Sequence, residues 1–204
     1  IQRGSLLTVD FTGDPLTPYE PALPLDGKKK IKRLNPSEVG LHTIPVLPIA
    51  YGEAQKIMSQ MTGTPVPLAW QGGLPFTYRL EGGAHLKVRV KVDQPINYTR
   101  VANVVGTLKG AELPDEWIIL GCHFDAWGFG ATDPNSGTAM LLSLSESLGK
   151  LAAQGYRPKR SIMIAHWDAE EHGVIGSSEW VEQLSDELGA KAIAYMNFDG
   201  GVSG

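Results

Sequence analysis

The sequence of 204 residues contains a single cysteine, Cys122, so no disulfide can form within it and a packed core must hold it together. It has no apolar run close to the roughly 20 residues that cross a bilayer, and we expect no membrane-spanning helix in it. Clustered basic residues are also scarce. The 18 Lys and Arg against 22 Asp and Glu give a net charge of −4, and only residues 28–33 are locally basic. Nucleic-acid binding requires clustered cations, so we exclude it and interpret residues 28–33 as a solvated loop.

Proline is scarce in the second half of the chain, where only three of the 14 prolines follow residue 100. Proline removes a backbone donor and fixes φ, so the first half should be rich in loops with short elements. There we predict a strand over residues 5–9, a helix over 52–61 and a half-buried strand over 86–92, where apolar and charged residues alternate. We place a domain boundary near residue 97, which separates residues 1–97 from residues 98–204.

The second half alternates apolar β-rich runs with helical segments. The predicted strands cover residues 101–108, 117–122, 161–167 and 192–197. The predicted helices cover residues 136–153 and 178–188, the second capped by Ser177 or Ser178. This order predicts an α/β fold with a mostly parallel sheet flanked by helices.

Polar residues gather where the predicted strands end. Those concerned are His123, Asp125, Asp133, Glu170, Glu171 and Asp199. Each alone has an ordinary explanation, such as a core histidine, a helix cap or a surface carboxylate. The carboxyl ends of parallel strands meet at one edge of a sheet, so together these residues predict a metal site. Mixed imidazole and carboxylate ligands favour zinc and leave manganese or cobalt open.

Four ordered motifs, at residues 121–127, 133–137, 167–173 and 197–199, resemble the co-catalytic zinc exopeptidases of the glutamate carboxypeptidase and transferrin receptor group. Residues 9–18 resemble the end of the protease-associated apical domain of that group. The resemblance implies that residues 1–97 are the C-terminal part of the apical domain. It also implies that residues 98–204 are the N-terminal half of the zinc peptidase domain.

The resemblance implies a role for each residue at the strand ends. Asp133 would bridge two zinc ions, His123 and Asp199 would complete the first, and Glu171 would bind the second. Glu170 would be the general base that takes a proton from water and passes it to the leaving amine. Asp125 would hold the imidazole of His123 through its other nitrogen.

The resemblance carries two further expectations about the structure. A structural calcium ion would be bound by Thr17, Tyr19, Glu179 and Glu182. The last two are three residues apart on one predicted helix and could share an ion. The peptide bond between Asp133 and Pro134 is predicted to be cis.

The motifs leave several alternatives open. The preferred function is a two-zinc carboxypeptidase acting on peptides, and the runner-up is an aminopeptidase on the same metal core. A transferrin-receptor-like binding protein without catalysis is the third. The resemblance also implies a homodimer that is membrane-anchored or exported. We expect a longer protein, because the sequence starts at Ile1 without methionine and lacks the distal histidine of the second zinc.

Several side chains near the motifs receive weaker predictions. Cys122 should be a small buried residue, since neighbouring strand residues point to opposite faces. Asp168 should support its loop and His172 should not bind metal. Trp127 and Phe129 either line the substrate cleft or pack beneath their glycine-rich loop.

Overall fold

A computed structural model describes residues 12–40, 44–93, 95 and 97–202. The predicted strand over residues 5–9 and the start of the apical motif lie outside the described residues. The chain forms two compact units. One contains residues 42–97 and the other contains residues 9–41 together with 98–204. The domain boundary near residue 97 remains a prediction about the whole protein.

The unit of residues 42–97 is built mainly from turns. Helix α1 covers Tyr51–Met58, which overlaps the helix predicted over residues 52–61. An isolated antiparallel bridge joins Pro65 to Arg79, whose guanidinium donates to the carbonyl of Gly63 at 2.6 Å. The carboxylate of Glu81 accepts hydrogen bonds from both the backbone and the hydroxyl of Thr64. Short polar contacts of this kind replace a large core here.

Within the described residues, the other unit contains one four-stranded sheet. Its strands are β1 (Val104–Leu108), β2 (Leu113–His123), β3 (Arg160–Trp167) and β4 (Ala192–Asn197). They lie in the order β1-β3-β2-β4. Strand β2 pairs in parallel with both β3 and β4, and β1 pairs antiparallel with β3. The predicted α/β class with a mostly parallel sheet is therefore confirmed.

Helix α2 (Asn135–Ala153) covers one face of the sheet. Its residues Leu141, Leu144 and Leu148 recur at helical spacing and pack on alternate residues of β2 and β3. The helix ends next to Gly155, whose φ of +90° lies in the left-handed region that glycine adopts without strain. The buried ends of β2 and β3 that this helix covers lead directly into the candidate site.

Two sequence-based predictions about local structure were wrong. The helix predicted over residues 178–188 is two helices, α3 (Ile175–Gln183) and α4 (Ser185–Lys191), and Val174 precedes the first without a side-chain cap. Residues 86–92 form no strand, and Val88 and Val90 are about half exposed. Alternation decides which side chains share a face, but a strand also needs a neighbouring strand.

The described helices include none that combines the length and the apolar character needed to cross a membrane.

Candidate metal centre

Three parallel strands bring the candidate ligands to one edge of the sheet. Strand β2 ends at His123, β3 ends at Trp167 and β4 ends at Asn197. Because β2 lies between the other two, the segments that follow β3 and β4 flank His123 on both sides. This is the crevice in which open α/β sheets place their ligands.

His123, Asp133 and Asp199 form a compact group that could hold a metal ion, with one ligand atom from each lying within 4.8 Å of the others. The Nε2 atom of His123 lies 2.9 Å from Oδ1 of Asp133 and 3.2 Å from Oδ1 of Asp199. The Oε2 atom of Glu170 lies 4.0 Å from the same nitrogen. The imidazole is buried and both aspartates are more than half exposed, so the group opens toward solvent.

The backbone fixes the orientation of the imidazole. Nδ1 of His123 lies 2.9 Å from the carbonyl oxygen of Asp125. A carbonyl can only accept, so Nδ1 carries a hydrogen, and Nε2 of the neutral ring presents its lone pair to the carboxylates. The hydroxyl of Thr138 donates to the carbonyl of His123 at 2.7 Å and holds the residue from α2. A lone pair facing two carboxylates is unfavourable unless a proton or a cation lies between them, so this donor set fits a metal ion.

Asp125 contacts Nδ1 of His123, the nitrogen expected from the sequence. The carbonyl of Asp125 holds the imidazole, while its carboxylate Oδ1 lies 3.5 Å from Nδ1. The carboxylate instead accepts the backbone N–H of Glu170 at 2.9 Å and that of Glu171 at 3.1 Å. Two backbone donors satisfy a carboxylate better than one ring nitrogen. Asp125 therefore connects the imidazole to the Glu170–Glu171 pair.

The segment of Glu170 and Glu171 has a constrained backbone. Ala169 before it and Val174 after it have φ values of 54° and 55°, and such values are strained for non-glycine residues, most of all for a β-branched one. The carbonyl of Glu170 accepts hydrogen bonds from the backbone of Gly173 and Val174 at 3.0 and 2.7 Å. These contacts hold the pair in a tight turn.

In the absence of a metal, the carboxylates around His123 change the pKa values of His123 and Glu170. Burial disfavours the protonated ring, but Glu170, Asp199 and Asp133 outweigh it, and the pKa of His123 is raised. Burial is also the main cause that raises the pKa of Glu170, and the charges of Asp199 and Glu171 add to it. A carboxyl group with a raised pKa is better suited to accept and release a proton near neutral pH.

The structure does not bring every predicted ligand into the compact group. Among the described residues, Glu171 is not a member of it and is placed only by its backbone contact with Asp125. Asp168 supports the loop, because its carboxylate accepts from the backbone of Ala169 and Ala102 at 2.9 Å each. Asn103 was not predicted, yet its side chain contacts the backbone of both Asp168 and Gly176. No motif distinguishes this asparagine in the sequence.

The residues predicted to bind calcium leave buried oxygens without partners. Oγ1 of Thr17 and Oε2 of Glu182 are buried and have no hydrogen-bond partner within the described part of the chain. Burial, followed by the charge of Glu179, raises the pKa of Glu182 to about 7, while a hydrogen bond from the backbone of Tyr19 opposes the rise. The carboxylate of Glu179 accepts from the backbone of Asp14 at 2.6 Å and from that of Ala22.

Three local predictions concern neighbours of the compact group. The peptide bond between Asp133 and Pro134 is cis, as predicted. Cys122 is fully buried, which agrees with its interpretation as a core residue. Trp127 is 61% exposed and Phe129 fully exposed, so neither packs beneath its loop.

Known proteins resemble this chain along most of its length. It is 41% identical over 204 residues to the Glutamate carboxypeptidase 2 homolog of Caenorhabditis briggsae, covering 98% of the chain and 26% of that protein. It is 41% identical over 209 residues to Aminopeptidase NAALADL1 of Mus musculus, covering 98% and 27%. It is 38% identical over 210 residues to the Probable glutamate carboxypeptidase VP8 of Zea mays, covering 100% and 28%. The chain thus spans about a quarter of the length of these relatives.

The second half of the chain matches a known protein family. A solved structure titled Peptidase M28 precursor, from Shewanella amazonensis, is 31% identical with a TM-score of 0.41 and covers 45% of this chain and 21% of that one. The sequence profile described as Peptidase family M28 matches residues 103–204, a range that holds all four motifs. The chain belongs to Peptidase family M28.

Proposed function

We propose that the protein carrying these residues is a two-zinc exopeptidase that hydrolyses terminal peptide bonds and acts as a carboxypeptidase. The observation that supports this proposal most is the compact group of His123, Asp133 and Asp199, with the carboxylate of Glu170 at 4.0 Å from the imidazole. The names of two relatives favour removal of a C-terminal glutamate, and the aminopeptidase name of the third supports the runner-up.

In this proposal His123 and Asp199 would hold one zinc, Asp133 would be shared with a second ion, and Glu171 would contribute to that second ion. Bound zinc would supply Lewis-acid polarisation of the scissile carbonyl and would acidify water. Glu170 accepts the proton of the attacking water at its carboxylate and delivers it to the leaving amine. The contact with the carboxylate of Asp125 fixes the backbone of Glu170.

The decisive substitution is Glu170→Gln, which keeps the size of the side chain and removes the base. We expect the rate of hydrolysis to fall by about 10²–10⁴-fold while the zinc content, measured by atomic absorption, is unchanged. Glu146→Gln is the matched control, because Glu146 is exposed on α2 and its described ion pair is with Lys150 on the same helix. Loss of zinc from Glu170→Gln would mean that the two glutamates have exchanged roles.

The substrate end is tested with blocked peptides and the protein expressed from its complete natural gene. A carboxypeptidase cleaves N-acetylated peptides ending in a free glutamate and leaves peptide amides intact. An aminopeptidase shows the opposite selectivity. Failure to hydrolyse either set, together with absence of bound metal, would favour the receptor-like alternative.

We also propose a structural calcium ion between α3 and the loop of residues 14–22. The buried oxygens of Thr17 and Glu182 support it, because hard oxygen ligands are those that calcium selects. Calcium should raise the melting temperature of the chelator-treated protein, and an unchanged value would contradict the proposal. Homodimer formation and export or membrane anchoring stay proposals, tested by light scattering and by cell fractionation.

A further inference from the structure

The loop between His123 and Asp133 exposes an unusual amount of aromatic surface. Phe124 is 39% exposed, Trp127 is 61% exposed and Phe129 is fully exposed. Large aromatic side chains have the most favourable free energy to gain from burial, so several exposed aromatic residues on one loop indicate a contact surface. This loop joins two of the three residues in the compact group.

Trp127 is held in place by a residue of the neighbouring segment. Its ring packs edge-on against the imidazole of His172, with centroids 4.8 Å apart and an interplanar angle of 63°. His172 directly follows Glu171, so this contact connects the loop to the segment of the proposed base. Trp127 remains mainly exposed in spite of the contact, and a substrate could still reach the free surface of the ring.

The loop does not depend on its aromatic rings for its shape. The side chain of Asn135 donates to the carbonyl of Phe129 at 3.1 Å, and its backbone N–H donates to that of Gly130 at 2.9 Å. Backbone contacts with the start of α2 therefore order the loop. The exposed rings remain available for binding.

The segments that form this edge of the sheet contain no lysine or arginine. Residues 110–149, 161–190 and 192–204 contain neither lysine nor arginine, and together they include the acidic group and the aromatic loop. An acidic side chain would find no cation in these segments to offset its desolvation. An apolar side chain would instead bury surface against the indole and imidazole rings.

We propose that Trp127 and His172 form a specificity-determining surface that binds an apolar, preferably aromatic, side chain adjoining the scissile bond of a peptide substrate. The proposal rests on the peptidase function proposed above. The proposal concerns the substrate side chain that contacts Trp127 and His172. The side chain on the other side of the scissile bond can be of a different chemical type.

The test uses two series of short peptides and the protein expressed from its complete natural gene. One series varies the residue before the scissile bond and the other the residue after it, with Phe, Leu, Gly or Asp at the varied position. Both carry the end group that the wild-type enzyme accepts. In one series we expect kcat/KM for Phe to exceed that for Asp by at least about tenfold, a discrimination typical of an apolar pocket.

Trp127→Ala should lower kcat/KM for the Phe peptide by about tenfold, mainly through KM, and change that for the Gly peptide less than about twofold. Trp127→Phe keeps a ring and should restore most of the preference. Tyr156→Ala is the matched control, because Tyr156 is an equally exposed aromatic residue before the start of β3, at the opposite edge of the sheet. Zinc content should be the same in all variants.

Two results would overturn the proposal while the peptidase function stands. One is a wild-type preference for Asp over Phe in both series. The other is an equal loss for every peptide in Trp127→Ala, or no loss, with zinc retained. Absence of hydrolysis by the wild-type enzyme would instead reject the proposed function, and with it this inference.

Discussion

Substitution of Asp125 by asparagine tests the connection between the imidazole and the Glu170–Glu171 pair. The two carboxylate oxygens of Asp125 each accept one backbone N–H, at 2.9 and 3.1 Å. Asparagine has the same size but only one acceptor oxygen, so its NH₂ group must face one of the two donors. The carbonyl of residue 125 is unchanged and should still hold the imidazole.

The size of the expected activity loss in Asp125→Asn follows from the hydrogen bonds that are lost. A hydrogen bond to a charged acceptor contributes about 1.5–3 kcal/mol, and the donor left facing NH₂ adds a penalty of similar kind. A loss of about 2–3 kcal/mol in transition-state stabilisation corresponds to a fall in kcat/KM of roughly 30- to 140-fold. The fall should appear in kcat, because the displaced group is the proposed base.

The matched control is Asp168→Asn, because the carboxylate of Asp168 also accepts two backbone N–H groups, those of Ala102 and Ala169. Both variants should lose similar thermal stability, measured by calorimetry, since each loses one charged acceptor. Only Asp125→Asn should lose most of its activity. Full activity of Asp125→Asn, or equal activity losses in the two variants, would refute the idea that Asp125 positions the glutamate pair.

Two further predictions concern stability. A Cβ at position 137 would lie 1.6 Å from the carbonyl oxygen of Phe198, so Gly137→Ala should destabilise the protein by about 3 kcal/mol or more in urea unfolding. The control is Gly149→Ala in the same helix, where an added Cβ meets nothing within 4 Å. This variant should be more stable than wild type by about 0.5–1 kcal/mol. Similar values for both would contradict the packing of α2 on the end of β4. Glu182 has a folded pKa of about 7 against 4.5 for the unfolded chain, so the folded state binds more protons between these values and the metal-free protein loses stability as pH rises through this window. Without calcium at pH 8, Glu182→Gln should therefore be more stable than wild type by about 1 kcal/mol after allowance for solvent screening, and it should melt at a higher temperature. At pH 4.5 the variant and wild type should melt at the same temperature. Equal melting temperatures of the two proteins at both pH values would refute the burial of this carboxylate.

The sequence predicted much of the site because strand ends and motifs depend on local order. Apolar runs identified all four strands of the sheet, and the short segments that follow three of these runs contain the candidates His123, Glu170 and Asp199. In a parallel sheet these positions must lie at one edge, so their approach to one another did not require the coordinates. The metal group of His123, Asp133 and Asp199 agrees with that reasoning.

The sequence could not predict contacts that depend on backbone geometry. The carboxylate of Asp125 contacts two N–H groups 45 and 46 residues away, and no residue pattern distinguishes this arrangement from a contact with the imidazole. The break between α3 and α4 and the missing strand over residues 86–92 have the same origin. Helical and alternating patterns are local, whereas a break or a strand partner is set by the packing of distant segments.

What the sequence determined by itself is the kind of chemistry available, namely an imidazole and several carboxylates at the ends of parallel strands. The right order of elements is enough to bring them together as a candidate metal-binding set. The tertiary structure decided which atoms meet. It gave His123 the carbonyl of Asp125, directed the carboxylate of Asp125 to the glutamate pair, and placed Trp127 against His172. Residue types follow from covalent order, but a hydrogen bond or ring contact depends on distances below about 5 Å, which only the packed fold fixes.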